Sequence, residues 1–139
     1  MDKKGAVSAF QYGERAKSEL IIASQLITVL SGLKDAERTG GKKIVLQCLE
    51  SIRIELQFAF RATSNQEFSK SIDNLNLAIS LVESNDYDQA IKTIGAAVSN
   101  ATTVAMLAWQ ELEKHEFIRA QSLSGRTNIS QAVSPGTCS

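Results

Sequence analysis

The sequence predicts an all-α protein, an antiparallel up-down-up-down four-helix bundle with longer first and fourth helices and a flexible C-terminal tail. Apolar residues recur at spacings of three and four from about Ala6 to Leu123, which is the period of amphipathic helices. The chain has a single proline, Pro135. Its 139 residues fit one domain, and we expect the bundle to occupy residues 1–123 and a disordered tail residues 124–139.

The first helix is predicted from about Lys4 to Asp35, followed by a loop with paired glycines. The core stripe of this helix is Ala9, Tyr12, Ala16, Leu20, Ala23, Ile27, Leu30 and Leu33. Gly40 and Gly41 come next, and glycine loses more backbone entropy in a helix than any other residue. We therefore place the first loop at residues 38–41.

The second helix is predicted to run to about Ala62 and the third to begin near Asn65. Ser64 and Glu67 have the spacing of a capping box, in which the two side chains accept hydrogen bonds from unpaired amides of the first turn. The core positions are Val45, Cys48, Leu49, Ile52, Leu56, Ala59 and Phe60 in the second helix, and Phe68, Ile72, Leu75, Ile79 and Val82 in the third.

The fourth helix is predicted to follow a cap at Asn85 or Asp86 and to run to about Leu123. Its core stripe is Tyr87, Ala90, Ile91, Ile94, Val98, Ala101, Ala105, Ala108 and Leu112. At about 1.5 Å per residue, the outer helices would span roughly 45 to 55 Å and the inner pair about 30 Å. The start of the first helix and the end of the fourth would then project together past the turn at residues 63–65.

Apolar side chains outside the core stripes predict a protein interface. The projecting ends carry Val7, Phe10, Phe117 and Ile118, and exposed apolar patches usually mark interaction surfaces. The run from Val104 to Trp109 has no polar face, and it adds Met106, Leu107 and Trp109, with Phe58 on the second helix. Two alternatives stay open: the helix ends pack on each other or fray, or the core is wide and Trp109 lies across its edge.

The sequence offers no catalytic constellation, and we expect a protein that is not an enzyme and holds no cofactor and no metal. The only histidine is His115, and a di-metal bundle normally needs two Glu-x-x-His pairs. Glu111 lies four residues before His115, so the two can form a helix surface pair. Small residues between Gly95 and Ala108 favour tight helix packing, while a narrow ligand cavity lined by Ser99, Asn100, Thr102 and Thr103 remains the alternative.

Charge and hydropathy favour a cytoplasmic protein without a membrane span. Fifteen basic and fifteen acidic residues cancel, which argues against a mainly electrostatic grip on nucleic acid or lipid. The best uncharged apolar run, Leu20 to Leu33, is interrupted by polar residues. Cys48 in a helix and Cys138 in the tail make an intramolecular disulfide a poor fit and suggest a reducing compartment.

The sequence therefore favours a non-enzymatic bundle that acts through protein–protein interaction, as a homo-oligomer, as an adaptor for another protein, or as both. The alternative is a nucleic-acid-associated accessory protein that uses a modest basic patch at one end of the bundle. That patch would consist of Lys3, Lys4, Arg15, Arg119 and Arg126, diluted by acidic neighbours.

Overall fold

The computed structural model describes the backbone of residues 1–124 and the side chains of residues 1–115. It contains four helices: α1 Lys3–Ser31, α2 Asp35–Thr63, α3 Gln66–Glu83 and α4 Tyr87–Ser124. This described part of the chain contains no strand. The predicted tail beyond Ser124 lies outside the described residues.

The helices form the predicted up-down-up-down bundle. Short connections force consecutive helices to run antiparallel, because only two or three residues separate each helix from the next. Helix α1 packs against α2 and α4, and α3 packs against the same two helices. The four helices therefore stand at the corners of a square, and the α1–α4 pair closes it.

The core is a set of heptad-like stripes, one on each helix. The buried residues alternate at spacings of three and four, as in left-handed coiled-coil packing. These residues are Ala6, Ala9, Gly13, Ala16, Leu20, Ala23, Ile27 and Leu30 in α1; Val45, Leu49, Ile52, Leu56 and Ala59 in α2; and Phe68, Ser71, Leu75, Ala78 and Val82 in α3. In α4 they are Tyr87, Ala90, Ile94, Ala97, Ala101, Val104, Ala105 and Ala108.

Small residues bring α1 and α4 into backbone contact. Gly13 is buried, and a Cβ placed on it would lie 3.0 Å from the Ala105 amide nitrogen and 3.1 Å from the Ala101 carbonyl oxygen. The alanine-rich stripe of α4 thus serves tight helix packing, which is the first of the two interpretations that the sequence left open. This close approach fixes the register in which the start of α1 meets the second half of α4.

The predicted loop at residues 38–41 is wrong, because α2 begins at Asp35 and includes both glycines. The turn occupies residues 32–34 instead, with Gly32 as the C-cap of α1. Tertiary contacts hold this stretch in a helix against the low helix propensity of glycine. A Cβ on Gly41 would lie 3.0 Å from a Leu33 methyl, so the missing side chain lets α2 approach the end of α1. Lys42 also donates to the Glu83 carbonyl at 3.1 Å.

The predicted capping box at the start of α3 is wrong, although the helix begins where it was expected. The N-cap is Asn65, whose side-chain oxygen accepts from the Glu67 amide at 2.9 Å. Ser64 instead ends α2 in the left-handed region, with φ 54°. At α4, Asp86 accepts from the Gln89 amide at 3.3 Å, which confirms one of the two predicted caps.

The first and fourth helices are long, as predicted, with 29 and 38 residues. Helix α2 is longer than predicted, with 29 residues, since it begins at Asp35. As a result, the start of α1 lies beside the α2–α3 turn and does not project beyond it: Gly5 and Ser8 share a surface cavity with Thr63 and Asn65.

A polar network joins α3 to α4. Asn74 donates to the Asn100 side-chain oxygen at 2.9 Å, and Asn100 donates to a Glu67 carboxylate oxygen at 3.0 Å. Hydrogen bonds from Asn100 and then Lys70 lower the pKa of Glu67. Asn100 is therefore engaged by α3, and the Thr102 hydroxyl donates to its own helix backbone, so neither side chain is arranged around a ligand cavity.

Candidate functional site

Aromatic side chains meet on the outer edge of the α1–α4 pair. Phe10 lies one turn before Gly13 on α1, and Trp109 lies one turn after Ala105 on α4, so the close approach of the two helices brings both rings to one level. Their centroids are 5.5 Å apart and their planes are tilted by 42°. This separation falls within the range of favourable aromatic pairs.

The aromatic pair is the centre of a larger apolar surface. Phe10 is half-buried against the core, whereas Trp109 and its neighbour Met106 are each 50% exposed. Val7, one turn before Phe10, is 38% exposed. We call Val7, Phe10, Met106 and Trp109 the aromatic patch. Four of the eight predicted interface residues therefore come together in the structure.

Leu107 and Phe58 are exposed but lie on other faces of the bundle. Leu107 is two residues from Trp109, which places it about 160° away around the axis of α4. Phe58 faces the opposite side of α1, where it lines a shallow groove of about 370 Å³ with Tyr12, and the Arg61 guanidinium lies 5.3 Å from its ring. The side chains of Phe117 and Ile118 lie outside the described residues.

The predicted basic patch is only partly described. Arg15, its central member, is engaged by two carboxylates: its Nε lies 2.7 Å from Glu55 Oε1 and 3.3 Å from Glu19 Oε2. Lys3 and Lys4 belong to the first turn of α1. The Arg119 side chain and the whole of Arg126 lie outside the described residues. Within the described part, Arg15 is thus paired with two carboxylates of its own chain.

The pKa values of Arg15 and of its partner Glu19 are both shifted by their surroundings. Burial, followed by the nearby charge of Glu55, raises the pKa of Glu19, and one Glu19 oxygen is buried without a hydrogen-bond partner. Hydrogen bonding to Glu19 and the charge of Glu55 raise the pKa of Arg15. Burial raises the pKa of the free Cys48 thiol in the same helix pair. A higher pKa keeps this thiol protonated and weakly nucleophilic.

His115 forms the expected surface pair with Glu111, at 3.3 Å between Nε2 and Oε2. Among residues 1–115, histidine, cysteine and acidic side chains form no group of three able to hold a metal. The described surface thus carries ion pairs such as Glu111–His115 and several exposed apolar side chains.

The structure also reveals exposed aliphatic residues that the sequence analysis did not select. Ile22 is 53% exposed, Val29 61% and Ile44 72%, and Ile21 on the adjacent side of α1 is 43% exposed. Ile22 and Val29 are seven residues apart and off the core stripe, within the charge-free segment Leu20 to Leu33. Apolar residues off the core stripe of a segment without charges were the sequence feature that could have identified this exposed face.

Comparisons with known proteins add no family to this description. No family, no curated protein and no solved structure matches the chain. Within the described residues, none of the helices combines the length and the hydropathy that a bilayer crossing requires.

Proposed function

We propose that this protein is a non-enzymatic helical bundle that acts through protein–protein interaction, as a homo-oligomer, an adaptor or both, with the aromatic patch as a binding surface. The observation that carries the proposal is the half-exposed Trp109 and Met106 beside Phe10. Tryptophan and methionine are enriched in protein interfaces, and tryptophan is enriched among residues that dominate binding energy.

Covering the aromatic patch would contribute a substantial part of the free energy of binding to a partner. An aromatic side chain buries about 150–250 Å², so a half-exposed tryptophan leaves roughly 100 Å² to cover. At about 25 cal/mol per Å², covering it contributes about 2–3 kcal/mol, and Met106 adds a similar gain. Phe10 holds the indole from one side, which lowers the entropy lost when a partner covers the other.

The proposed compartment is the cytoplasm. The free, half-buried Cys48 thiol fits a reducing environment.

The first partner that we propose is a second copy of the chain, since a self-complementary apolar patch on a symmetric dimer is buried on both subunits at once.

The single tryptophan of the chain makes the patch directly observable. We expect light scattering of the full chain to show oligomers at micromolar concentration, and Trp109 emission to shift to shorter wavelength as they form. Met106→Lys keeps the fluorophore and should abolish the emission shift. Leu77→Lys on α3 is the matched control, because Leu77 is 52% exposed and lies on another helix.

Two results would contradict the proposal. A monomer at every concentration, with Trp109 emission that never changes, removes the homo-oligomer. Association that Met106→Lys leaves intact, with Trp109 emission constant throughout, removes the aromatic patch as the surface.

A further inference from the structure

The first ten residues of α2 have little stability of their own. No residue from Asp35 to Ile44 is buried, and the first buried side chain of the helix is Val45. Gly40 and Gly41 lie side by side within this stretch, and each glycine lowers the stability of a helix relative to alanine. Most of the stability of a protein helix comes from packing of its apolar face. This segment therefore depends on other contacts to stay helical.

The beginning of α2 also lacks a side-chain cap. Its N-cap residue is Lys34, whose side chain makes no capping hydrogen bond, and Asp35 lies in the left-handed region with φ 53°. That conformation is sterically unfavourable for a residue with a Cβ. The other three helices begin differently, since Asp2, Asn65 and Asp86 each accept a hydrogen bond from an amide of the first turn. The acidic residues in the first turn of α2 offset the missing cap only in part, because exposed charges interact weakly with the helix dipole.

Two long cationic side chains tie this segment to the other helices. Arg38 donates from Nη2 to the carbonyl of Ser31, the last residue of α1, at 3.1 Å, and its guanidinium lies 5.4 Å from the centre of the Tyr87 ring. Lys42 donates to the carbonyl of Glu83, the last residue of α3, at 3.1 Å. Neither α1 nor α3 has a basic residue in its own last turn. Arg38 and Lys42 therefore supply the positive charge that favours a helix C-terminus.

Each of these tethers is weak. Both hydrogen bonds lie at exposed positions, where water competes for the carbonyl oxygens. The Nε of Arg38 is buried without a hydrogen-bond partner among the described residues, so closure removes a donor from water without replacing its bond. The apolar contact is limited to the close approach of Gly41, where a Cβ would lie 3.0 Å from a Leu33 methyl and 3.3 Å from a Leu30 methyl. The closed state of the segment is thus held by few and individually small interactions.

We propose that residues 35–44 form a conformational latch, the α2 latch, which Arg38 and Lys42 hold closed and which unfolds locally while the rest of the bundle stays folded. Segments with few buried apolar contacts and exposed backbone hydrogen bonds open more readily than core helices. Opening uncovers the apolar surface of Leu30 and Leu33 that Gly41 covers in the closed state. The latch therefore controls exposure of the core at the end of the bundle opposite the aromatic patch, about 30 Å along α1 from Phe10. The inference is independent of the proposed function.

Native-state hydrogen exchange of the full chain, followed by NMR, measures this opening. The informative amides are those of residues 39–44, because the first four amides of a helix have no partner within it and exchange in any case. After correction for intrinsic rates, these amides should exchange at least about 100-fold faster than those of residues 45–59. Urea below the unfolding midpoint should accelerate exchange at residues 45–59 and leave residues 39–44 nearly unchanged, because a local opening exposes little surface.

Two substitutions separate local opening from global unfolding. Leu56 is buried in the core, about 18 Å along α2 from Ile44. Leu56→Ala should accelerate exchange at residues 45–59 by at least about tenfold and leave residues 39–44 unchanged, because the core around Leu56 stays packed when the latch opens. Gly40→Ala should slow exchange at residues 39–44 by about fivefold, since alanine favours the helix and a Cβ at this position meets no atom within 4 Å.

Removal of the tethers tests what holds the latch closed. Arg38→Met and Lys42→Met each delete a donor and a charge while keeping helix propensity similar. Each should accelerate exchange at residues 39–44 by about two- to fivefold, which corresponds to one exposed hydrogen bond. Lys43→Met is the matched control, because it removes a charge from an exposed residue of the same turn, and it should leave the exchange unchanged.

Three outcomes would overturn the latch. Equal protection of residues 39–44 and 45–59, with the same dependence on urea, means that the segment opens only when the whole bundle unfolds. Equal acceleration of both stretches by Leu56→Ala has the same meaning. Exchange at residues 39–44 that neither Arg38→Met nor Lys42→Met accelerates removes the tethers. If Leu56→Ala does not fold, as judged by circular dichroism, the urea series of the parent protein decides between local and global opening.

Discussion

Replacement of Gly13 by alanine tests the claim that α1 and α4 are in backbone contact. The new methyl group would lie 3.0 Å from the Ala105 nitrogen, 3.1 Å from the Ala101 oxygen and 3.2 Å from the Ala105 Cα. These are backbone atoms of a helix in the core, so they cannot rotate away as a flexible side chain would. The two helices must separate by a few tenths of an ångström, and the neighbouring core contacts loosen with them.

Two opposing effects set the magnitude. Overpacking a core costs about 1–3 kcal/mol, whereas glycine to alanine within a helix gains about 0.8–1.0 kcal/mol of helix propensity. Gly95→Ala isolates the second effect, because no heavy atom outside its own helix lies within 4 Å of a Cβ at this exposed position of α4. We expect Gly95→Ala to stabilise the protein and Gly13→Ala to be less stable than Gly95→Ala by about 1–3 kcal/mol.

Urea unfolding followed by circular dichroism measures the difference, provided that both variants are compared at one protein concentration. At about 4 °C per kcal/mol for a domain of this size, the two melting temperatures should differ by about 4–12 °C. Equal stabilisation by the two substitutions would refute the close approach and, with it, the register that brings Phe10 to Trp109.

Further predictions concern the helix cap and the two perturbed carboxylates. Asn65→Ala should destabilise the protein by about 1 kcal/mol through loss of the cap to the Glu67 amide, whereas Ser64→Gly should be neutral or stabilising because its φ is positive; equal losses at both positions in urea unfolding would contradict the cap assignment. The raised pKa of Glu19 means that its contribution to stability is present below the unfolded pKa and is lost as pH rises through the folded pKa. The melting temperature of Glu19→Gln should therefore rise relative to that of the parent as pH increases from about 4 to about 7. The lowered pKa of Glu67 has the opposite sign: its contribution is present above the unfolded pKa and is lost as pH falls through the folded pKa, so the melting temperature of Glu67→Gln should fall relative to that of the parent as pH rises from about 3 to about 5. Parallel pH profiles for the two variants would show that one of these directions is wrong.

The apolar period predicted most of the fold because helix formation and core burial obey the same local rule. Each stripe read from the sequence became the inward face of a helix, although some of its members, such as Tyr12, Cys48 and Ile72, are only partly buried. Short connections left antiparallel packing as the simple arrangement. The error at Gly40 and Gly41 has a definite cause: helix propensity is worth only about 1 kcal/mol per glycine, and tertiary packing of a whole helix overrides a cost of that size.

The candidate site was predictable only as a set of apolar residues off the core stripes. The sequence selected Phe10, Met106 and Trp109 correctly as such residues, but it grouped Phe58 with them, because a stripe read along one helix does not say which neighbour lies on either side. Assigning sides requires the handedness and register of the whole bundle. The structure shows that Phe58 and Trp109 flank α1 from opposite sides.

The sequence by itself determined that the chain forms four amphipathic helices, since periodicity and caps act over a few residues. Only the tertiary structure decided where α2 begins, that Gly13 lets α1 and α4 touch, and that Ile22 and Val29 remain exposed. Those outcomes depend on contacts between residues far apart in the chain. Whether an apolar residue is covered is a property of its neighbours in space, which a one-dimensional pattern does not contain.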